Sequence, residues 1–185
     1  GFRNCFSIFV IKITQKQMTE KELQIYLKTN YPIENEKCEW KEFKSLKSAV
    51  SGRAGDDIIS YVSAISNMQG GNLVIGIQDK THSVIGIQEF ADYSVENIKY
   101  RVIGNCPNLN PDFFKIQEFI TSDTNKTVWV FHIPKHQFRL PVYAHKKTWQ
   151  RIDDNLVEMT KARLDAILTQ FQVNYNINFL LLILF

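Results

Sequence analysis

The sequence predicts an α+β fold in which helices pack on a mixed, mostly antiparallel sheet. Helical patterns alternate with strand patterns only in the first part of the chain, and pairs of short strands joined by polar turns follow. That order of elements is typical of α+β proteins. With 185 residues, 44% of them hydrophobic, the chain is also large and apolar enough for one domain with an ordinary core.

Cap residues mark the first two helices. Thr19 and Glu22 form a capping box, which opens a helix over 19–27. A second helix begins after the acidic pair at 56–57, because negative charge is favourable at a helix N-terminus. The glycine pair at 70–71 ends this helix, since glycine adopts the left-handed conformation of a C-cap without penalty.

The remaining elements follow from the spacing of apolar residues and from the turns between them. Short apolar runs bounded by polar turns indicate strands, and apolar residues at helical spacing indicate two more helices. The predicted strands are 39–43, 73–78, 83–87, 113–120, 127–133, 141–145 and 148–152, and the further helices are 95–102 and 160–171.

Both ends of the chain lack these patterns. Residues 1–17 contain an apolar patch shorter than the roughly 20 residues needed to span a bilayer, and they lack a signal-peptide cleavage site. The segment 172–185 is apolar and without helix caps. We expect a non-native or disordered leader over 1–17, one domain over 18–171 with Met18 as its natural start, and a tail over 172–185 that is a truncation or an extension.

Cysteine and histidine usage indicates no metal centre. The three cysteines are far apart and form no C-x-x-C pair, which argues against a disulfide framework or a zinc site and fits a reducing cytoplasm. His132 and His136 have Pro134 between them and no accompanying cysteine, so they do not predict a metal site. No G-x-x-x-x-G-K-[ST], G-x-S-x-G or H-E-x-x-H motif is present, and no cofactor is expected.

Positive charge is concentrated between residues 124 and 152. This segment holds six Lys or Arg and no Asp or Glu, in a chain of net charge +3. Such a run is either a solvated face or the footprint of a polyanion site. Trp40, Tyr143 and Trp149 would stack on bases if exposed, although each also suits a core. The candidate nucleic-acid-binding residues are Lys41, Lys44, Lys47, Arg53, Lys146, Lys147 and Arg151.

Three carboxylates, Glu39, Glu42 and Asp79, are candidate catalytic residues. Converging acids can hold a divalent ion against a phosphodiester, where the metal lowers the pKa of bound water. However, residues three apart on a regular strand point to opposite faces, so Glu39 and Glu42 converge only if the chain bends between them. The alternative, which the pattern favours, is that Glu42 pairs with a neighbouring lysine and Asp79 forms a turn.

Five short motifs occur in order within about residues 33–170. They are E-F-K at 42–44, A-I-S-N-M-Q-G-G at 64–71, L-V-I-G-I-Q-D at 73–79, I-G at 85–86 and W-Q-R-I at 149–152. In this order they resemble the Schlafen/AlbA-like domain, the DNA-binding module of divergent AAA-type bacterial proteins. The resemblance implies a nucleic-acid-binding α+β domain of a regulator-like or ATPase-like bacterial protein.

The resemblance also implies roles for individual acids. Schlafen relatives in vertebrates cut transfer or ribosomal RNA with three acids. Glu42 and Asp79 match two of these acids and would hold Mg²⁺ or Mn²⁺ in such a nuclease. The third acid is replaced here by Lys37, so Glu36 or Glu39 would have to substitute.

The sequence therefore supports three functions to different degrees. A nucleic-acid-binding domain, directed to DNA more than to RNA, comes first. A metal-dependent endoribonuclease is the alternative, and a protein-interaction module with an acidic partner is the weakest. No membrane partner is expected. The sequence does not determine the oligomeric state, and a homo-oligomer is one of the options.

Overall fold

The structure is a computed structural model that describes residues 17–31, 37–43, 49–78, 81–87, 93–153 and 155–171. Its helices are α1 (Glu20–Asn30), α2 (Ile58–Met68), α3 (Val95–Asn105) and α4 (Lys161–Leu168). Its strands are β1 (Cys38–Lys41), β2 (Gly71–Ile75), β3 (Lys115–Ile120), β4 (Thr127–Ile133), β5 (Tyr143–Ala144), β6 (Lys147–Ile152) and β7 (Asn155–Glu158). Most of the predicted leader and the whole predicted tail lie outside the described residues.

The predicted fold class is confirmed. The main sheet has the strand order β1-β2-β4-β3, with β1 parallel to β2 and the other pairs antiparallel. A smaller antiparallel sheet has the order β5-β6-β7. The predicted strand over 83–87 is reduced to one bridge between Ile77 and Val84, and β7 was not predicted. The other elements match their predicted ranges to within three residues at each end.

The main sheet separates two hydrophobic clusters. Alternate residues of β4 point to opposite faces. Val128 and Val130 pack in the cluster beneath α1. Trp129 and Phe131 pack in the larger cluster, to which α2, α3 and the small sheet contribute. The fold is therefore layered, with α1 on one face of the main sheet and α2, α3 and the small sheet on the opposite face.

Helix α2 lies at the centre of the larger layer, and all of its residues are buried. Its polar residues bind backbone groups of the small sheet. The side chain of Asn67 donates from Nδ2 to the carbonyl oxygen of Val142 (2.8 Å) and accepts at Oδ1 from the Val142 amide (2.7 Å). Ser63 Oγ donates to the same carbonyl at 2.7 Å. The asparagine of the A-I-S-N-M-Q-G-G motif therefore fixes the position of the β5–β6 hairpin against α2.

The three end signals that the sequence predicted for α1 and α2 are present. Thr19 and Glu22 form the capping box of α1. Asp57 is the N-cap of α2, and Gly70, just beyond the last turn of α2, has a φ of +73°. Among the described residues, no helix is both long and apolar enough to cross a membrane.

Candidate nucleic-acid interface

The predicted basic residues fall into an exposed and a buried group. Arg53, Lys146 and Lys147 are exposed, whereas Arg151 is buried and Lys41 is partly buried. Arg53 lies in the loop before α2, and Lys146 lies in the turn between β5 and β6. Lys44 and Lys47 lie outside the described residues. Two of the exposed cations, Arg53 and Lys146, therefore lie in two loops near the N-terminal end of α2, and Lys147 is the first residue of β6.

A buried carboxylate connects these two loops. Asp57 is fully buried, and its Oδ1 accepts from the Ser60 amide (3.0 Å) and the Ser60 hydroxyl (2.6 Å) at the start of α2. Its Oδ2 lies 2.6 Å from Nε2 of His145 in the β5–β6 turn. Gly55 packs closely on the small sheet, since a Cβ there would lie 3.0 Å from the Trp149 ring. The loop carrying Arg53 and the turn carrying Lys146 are thus held together.

The β5–β6 turn has an unusual backbone for its sequence. His145 and Lys146 both have positive φ, 51° and 62°, as in the two-residue type I′ turns that prefer Asn and Gly. Positive φ is uncommon for such side chains. Because His145 contacts Asp57, the turn is fixed despite this preference, and Lys146 is left at its exposed tip.

Other charges modify this surface. Lys147 forms a 2.7 Å ion pair with Glu158, and about half of each side chain is exposed, 51% and 56%. Such a pair contributes little to stability and partly neutralises Lys147. Asp56 is an exposed acid in the same loop as Arg53. Arg53 and Lys146 are therefore the principal cations of this interface.

The structure places Glu39 in a buried charged cluster. Its side chain is 5% exposed and forms ion pairs with Arg151 and, at 2.7 Å, with Lys41. Lys41 Nζ also lies 5.7 Å from the ring centroid of Tyr61 on α2. Each carboxylate oxygen of Glu39 thus faces a cation. Glu39, a candidate catalytic acid, is therefore paired with Arg151 and Lys41, two candidate nucleic-acid-binding residues.

Of the other two candidate acids, Glu42 lies at one edge of the sheet. Glu42 directly follows β1, and the amide of Gly76, just after β2, donates to the carbonyl of Lys41 at 3.1 Å. Because parallel strands end at the same edge, the segment that leads to Asp79 starts beside Glu42. Asp79 itself lies outside the described residues. Within the part of the chain that the structure describes, no three His, Cys, Asp or Glu side chains are grouped to hold a metal ion.

The aromatic candidates are placed mostly in the core. Trp40 is 1% exposed and Trp149 is 7% exposed, and Tyr143 is partly buried. The two tryptophans thus pack in the interior instead of presenting ring faces to solvent. The Asp57–His145 contact joins residues 88 positions apart and was not predicted from the sequence. No sequence pattern indicates that an acid at the start of a helix contacts a histidine in a distant turn.

Comparison with known proteins agrees with this fold. The family model described as Schlafen, AlbA_2 matches residues 34–160. No curated protein is significantly similar to the chain. Among solved structures, the DIP2311 protein from Corynebacterium diphtheriae is similar at 15% sequence identity and a TM-score of 0.50, over 74% of this chain and 25% of that protein.

At that identity the structural likeness shows the fold alone, and this chain spans about a quarter of the length of the diphtheria protein. The family match is more informative, because it covers more than half of the chain and includes α2, the main sheet and the β5–β6 hairpin. It also confirms the resemblance drawn from the five sequence motifs. The chain belongs to the Schlafen AlbA_2 family, which is related to nucleic acids.

Proposed function

We propose that this chain is a nucleic-acid-binding domain whose interface is the surface carrying Arg53 and Lys146. The observation that carries the proposal is the 2.6 Å contact between Asp57 and His145, which fixes the two cation-bearing loops relative to each other. A fixed spacing of cations lets both side chains contact phosphates without a large loss of conformational entropy on binding.

The chemistry favours contacts to the phosphate backbone. Arg53 and Lys146 are exposed, and neither lies on a helix or strand that would insert into a groove. Cations that contact phosphates provide affinity and register but carry no base information. We infer binding with little sequence preference, to DNA in preference to RNA on the strength of the family resemblance. The corresponding setting is a cytoplasmic regulator-like or ATPase-like bacterial protein.

A binding titration with labelled duplex DNA and labelled RNA tests this proposal. We expect dissociation constants of about 10⁻⁴ to 10⁻⁶ M at physiological salt, as for other non-specific binders, and tighter binding at lower salt because counterions are released. Fluorescence anisotropy between about 50 and 200 mM salt measures both quantities. An affinity that does not change with salt, or no binding at low salt, would contradict the proposal.

A metal-dependent nuclease is a second candidate function. The observation that favours it is the edge where β1 and β2 end, with Glu42 beside the segment that leads to Asp79. These two acids would hold Mg²⁺ or Mn²⁺, which supplies an activated water when bound. Against it, Glu39 already faces Arg151 and Lys41, and Lys37 stands where a third acid is expected.

Cleavage of the same labelled nucleic acids separates the two functions. We expect binding without cleavage, with or without Mg²⁺ or Mn²⁺. If cleavage occurs, it should require the divalent ion and be lost in Glu42→Gln and in Asp79→Asn, because each change removes a charged ligand. Metal-dependent cleavage lost in both variants would favour the nuclease, whereas cleavage that survives both would place the chemistry elsewhere.

A further inference from the structure

A second cationic site lies at the opposite end of α2. A cavity of about 190 Å³ opens where the end of α2 meets the segment after β4 and one side of α4. This is smaller than the roughly 300–1,000 Å³ typical of sites for drug-sized ligands, so the cavity has room only for a small group. Its polar lining includes Gln69, Lys135, His136, Arg163 and Gln170.

The charge in this cavity is of one sign. Lys135 and Arg163 line it together with His136, and no Asp or Glu is among the described residues of its lining. Burial lowers the pKa of His136. The carbonyl of Gln137 opposes this shift, and the charges of Lys135 and Arg163 add to it. The cavity therefore disfavours a further positive charge and favours an anion.

One donor of the Arg163 side chain lacks an acceptor. The Nε atom of Arg163 is shielded from solvent and has no hydrogen-bond partner among the described residues. A buried donor without an acceptor is unfavourable, and a guanidinium forms its strongest hydrogen bonds with anionic oxygens. An oxyanion in the cavity would supply the missing acceptor if the Arg163 side chain turned toward it.

The C-terminal end of a helix normally repels anions, since its last carbonyl groups are unpaired. Here two of those of α2 are occupied. The carbonyl of Ile65 accepts from the amides of Gln69 and Gly70, and the carbonyl of Ser66 accepts from the amide of His136 at 2.9 Å. The repulsion at this end of α2 is correspondingly reduced.

We propose that this cavity is a phosphate-binding site in which the guanidinium group of Arg163 and the ammonium group of Lys135 contact the phosphate oxygens. The phosphate group is either that of a nucleic acid strand or a free phosphate. The site is separate from the interface at Arg53 and Lys146, because the two lie at opposite ends of α2.

Nitrogen-15 correlation spectra of the arginine Nε–H groups of the full chain test the proposal. We expect inorganic phosphate to shift the Arg163 signal saturably, whereas chloride at equal ionic strength does not. Arg163→Lys assigns the signal, because lysine has no Nε–H group of this kind. The signal of Arg101, which lies on α3 and belongs to neither site, is the internal reference for general ionic effects.

Two variants test the contacts. Arg163→Gln and Lys135→Gln should each weaken phosphate binding by about tenfold, the effect of one charge-assisted hydrogen bond. Lys28→Ala, which removes an exposed cation of α1, should leave it unchanged. Lys135 is exposed, so its variant tests the site even if Arg163→Gln does not fold.

Two oligonucleotides of one sequence, with and without a 5′-phosphate, identify the source of the phosphate. A shift of the Arg163 signal with both indicates backbone phosphate, and a shift with the phosphorylated strand alone indicates a terminal phosphate. A shift with inorganic phosphate alone indicates a free ligand. If none of these probes shifts the Arg163 signal saturably, the proposal is wrong, whatever the result at Arg53 and Lys146.

Discussion

Gly71→Ala should unfold the protein at room temperature. Gly71 has a φ of +155°, and a Cβ there would lie 2.0 Å from the backbone carbonyl oxygen of Lys37. That carbonyl accepts from the amide of Asn72 at 2.7 Å, so it cannot move away without breaking the pairing of β1 with β2. The expected loss exceeds about 4–5 kcal/mol, a large part of the 5–15 kcal/mol that stabilises a typical domain.

Circular dichroism and urea unfolding measure this effect, and Gly104→Ala is the matched control. Gly104 lies in α3, and a Cβ there would meet no atom within 4 Å. Because alanine is the better helix former, the control should gain about 0.5–1 kcal/mol. Native-like unfolding of Gly71→Ala would show that β1 and β2 are not in the contact described here.

Glu39→Gln should lower the free energy of unfolding by about 3–5 kcal/mol, as expected when one member of a buried ion pair is removed. The change leaves the cations of Arg151 and Lys41, with side chains 4% and 25% exposed, without the anion between them. Replacing Glu39 and Arg151 together by methionine should cost less than Glu39→Gln alone, because the buried guanidinium is then absent. Urea unfolding measures all of these variants.

The control for this prediction is Glu158→Gln. Glu158 pairs with Lys147 at 2.7 Å, but both side chains are about half exposed. A pair of that kind is worth about 0–1 kcal/mol. Equal, small effects of Glu39→Gln and Glu158→Gln would mean that Glu39 is not buried against Arg151. A loss of nuclease activity in Glu39→Gln would identify a catalytic role only at a temperature where the variant remains folded.

The local signals of the sequence predicted the elements well. The capping box at Thr19, the acid at Asp57 and Gly70 beyond α2 act within a few residues of the chain, and all three are found at the predicted helix ends. Strand β7 gave a weaker signal, because it has only four residues and its side chains are partly or fully exposed. Short, exposed segments lack the apolar alternation from which strands are recognised.

Placement of the charged residues was harder to predict, since it depends on distant partners. Arg151 belongs to a basic run, but β6 turns its side chain inward to Glu39, which lies 112 positions earlier. Alternation along a strand shows which residues share a face and gives no indication of what covers that face. For the same reason, the contact of Asp57 with His145 could not be predicted, and neither could the geometry of the proposed interface.

The most direct test of the proposed function compares two double variants of equal charge. Arg53→Ala with Lys146→Ala removes the proposed interface. Lys21→Ala with Lys28→Ala removes two exposed cations of α1, on the opposite face of the main sheet. The measurement is the slope of log K against log salt for duplex DNA. Each phosphate contact contributes about −0.9 to this slope.

We predict that the slope of the Arg53 and Lys146 variant is less steep by the contribution of about two phosphate contacts, and that this variant binds more weakly at every salt concentration. The Lys21 and Lys28 variant should keep the slope of the unmodified protein. Equal losses in both variants would mean that net charge alone attracts the DNA. An unchanged slope in the Arg53 and Lys146 variant would mean that DNA binds elsewhere, and would contradict the proposed interface.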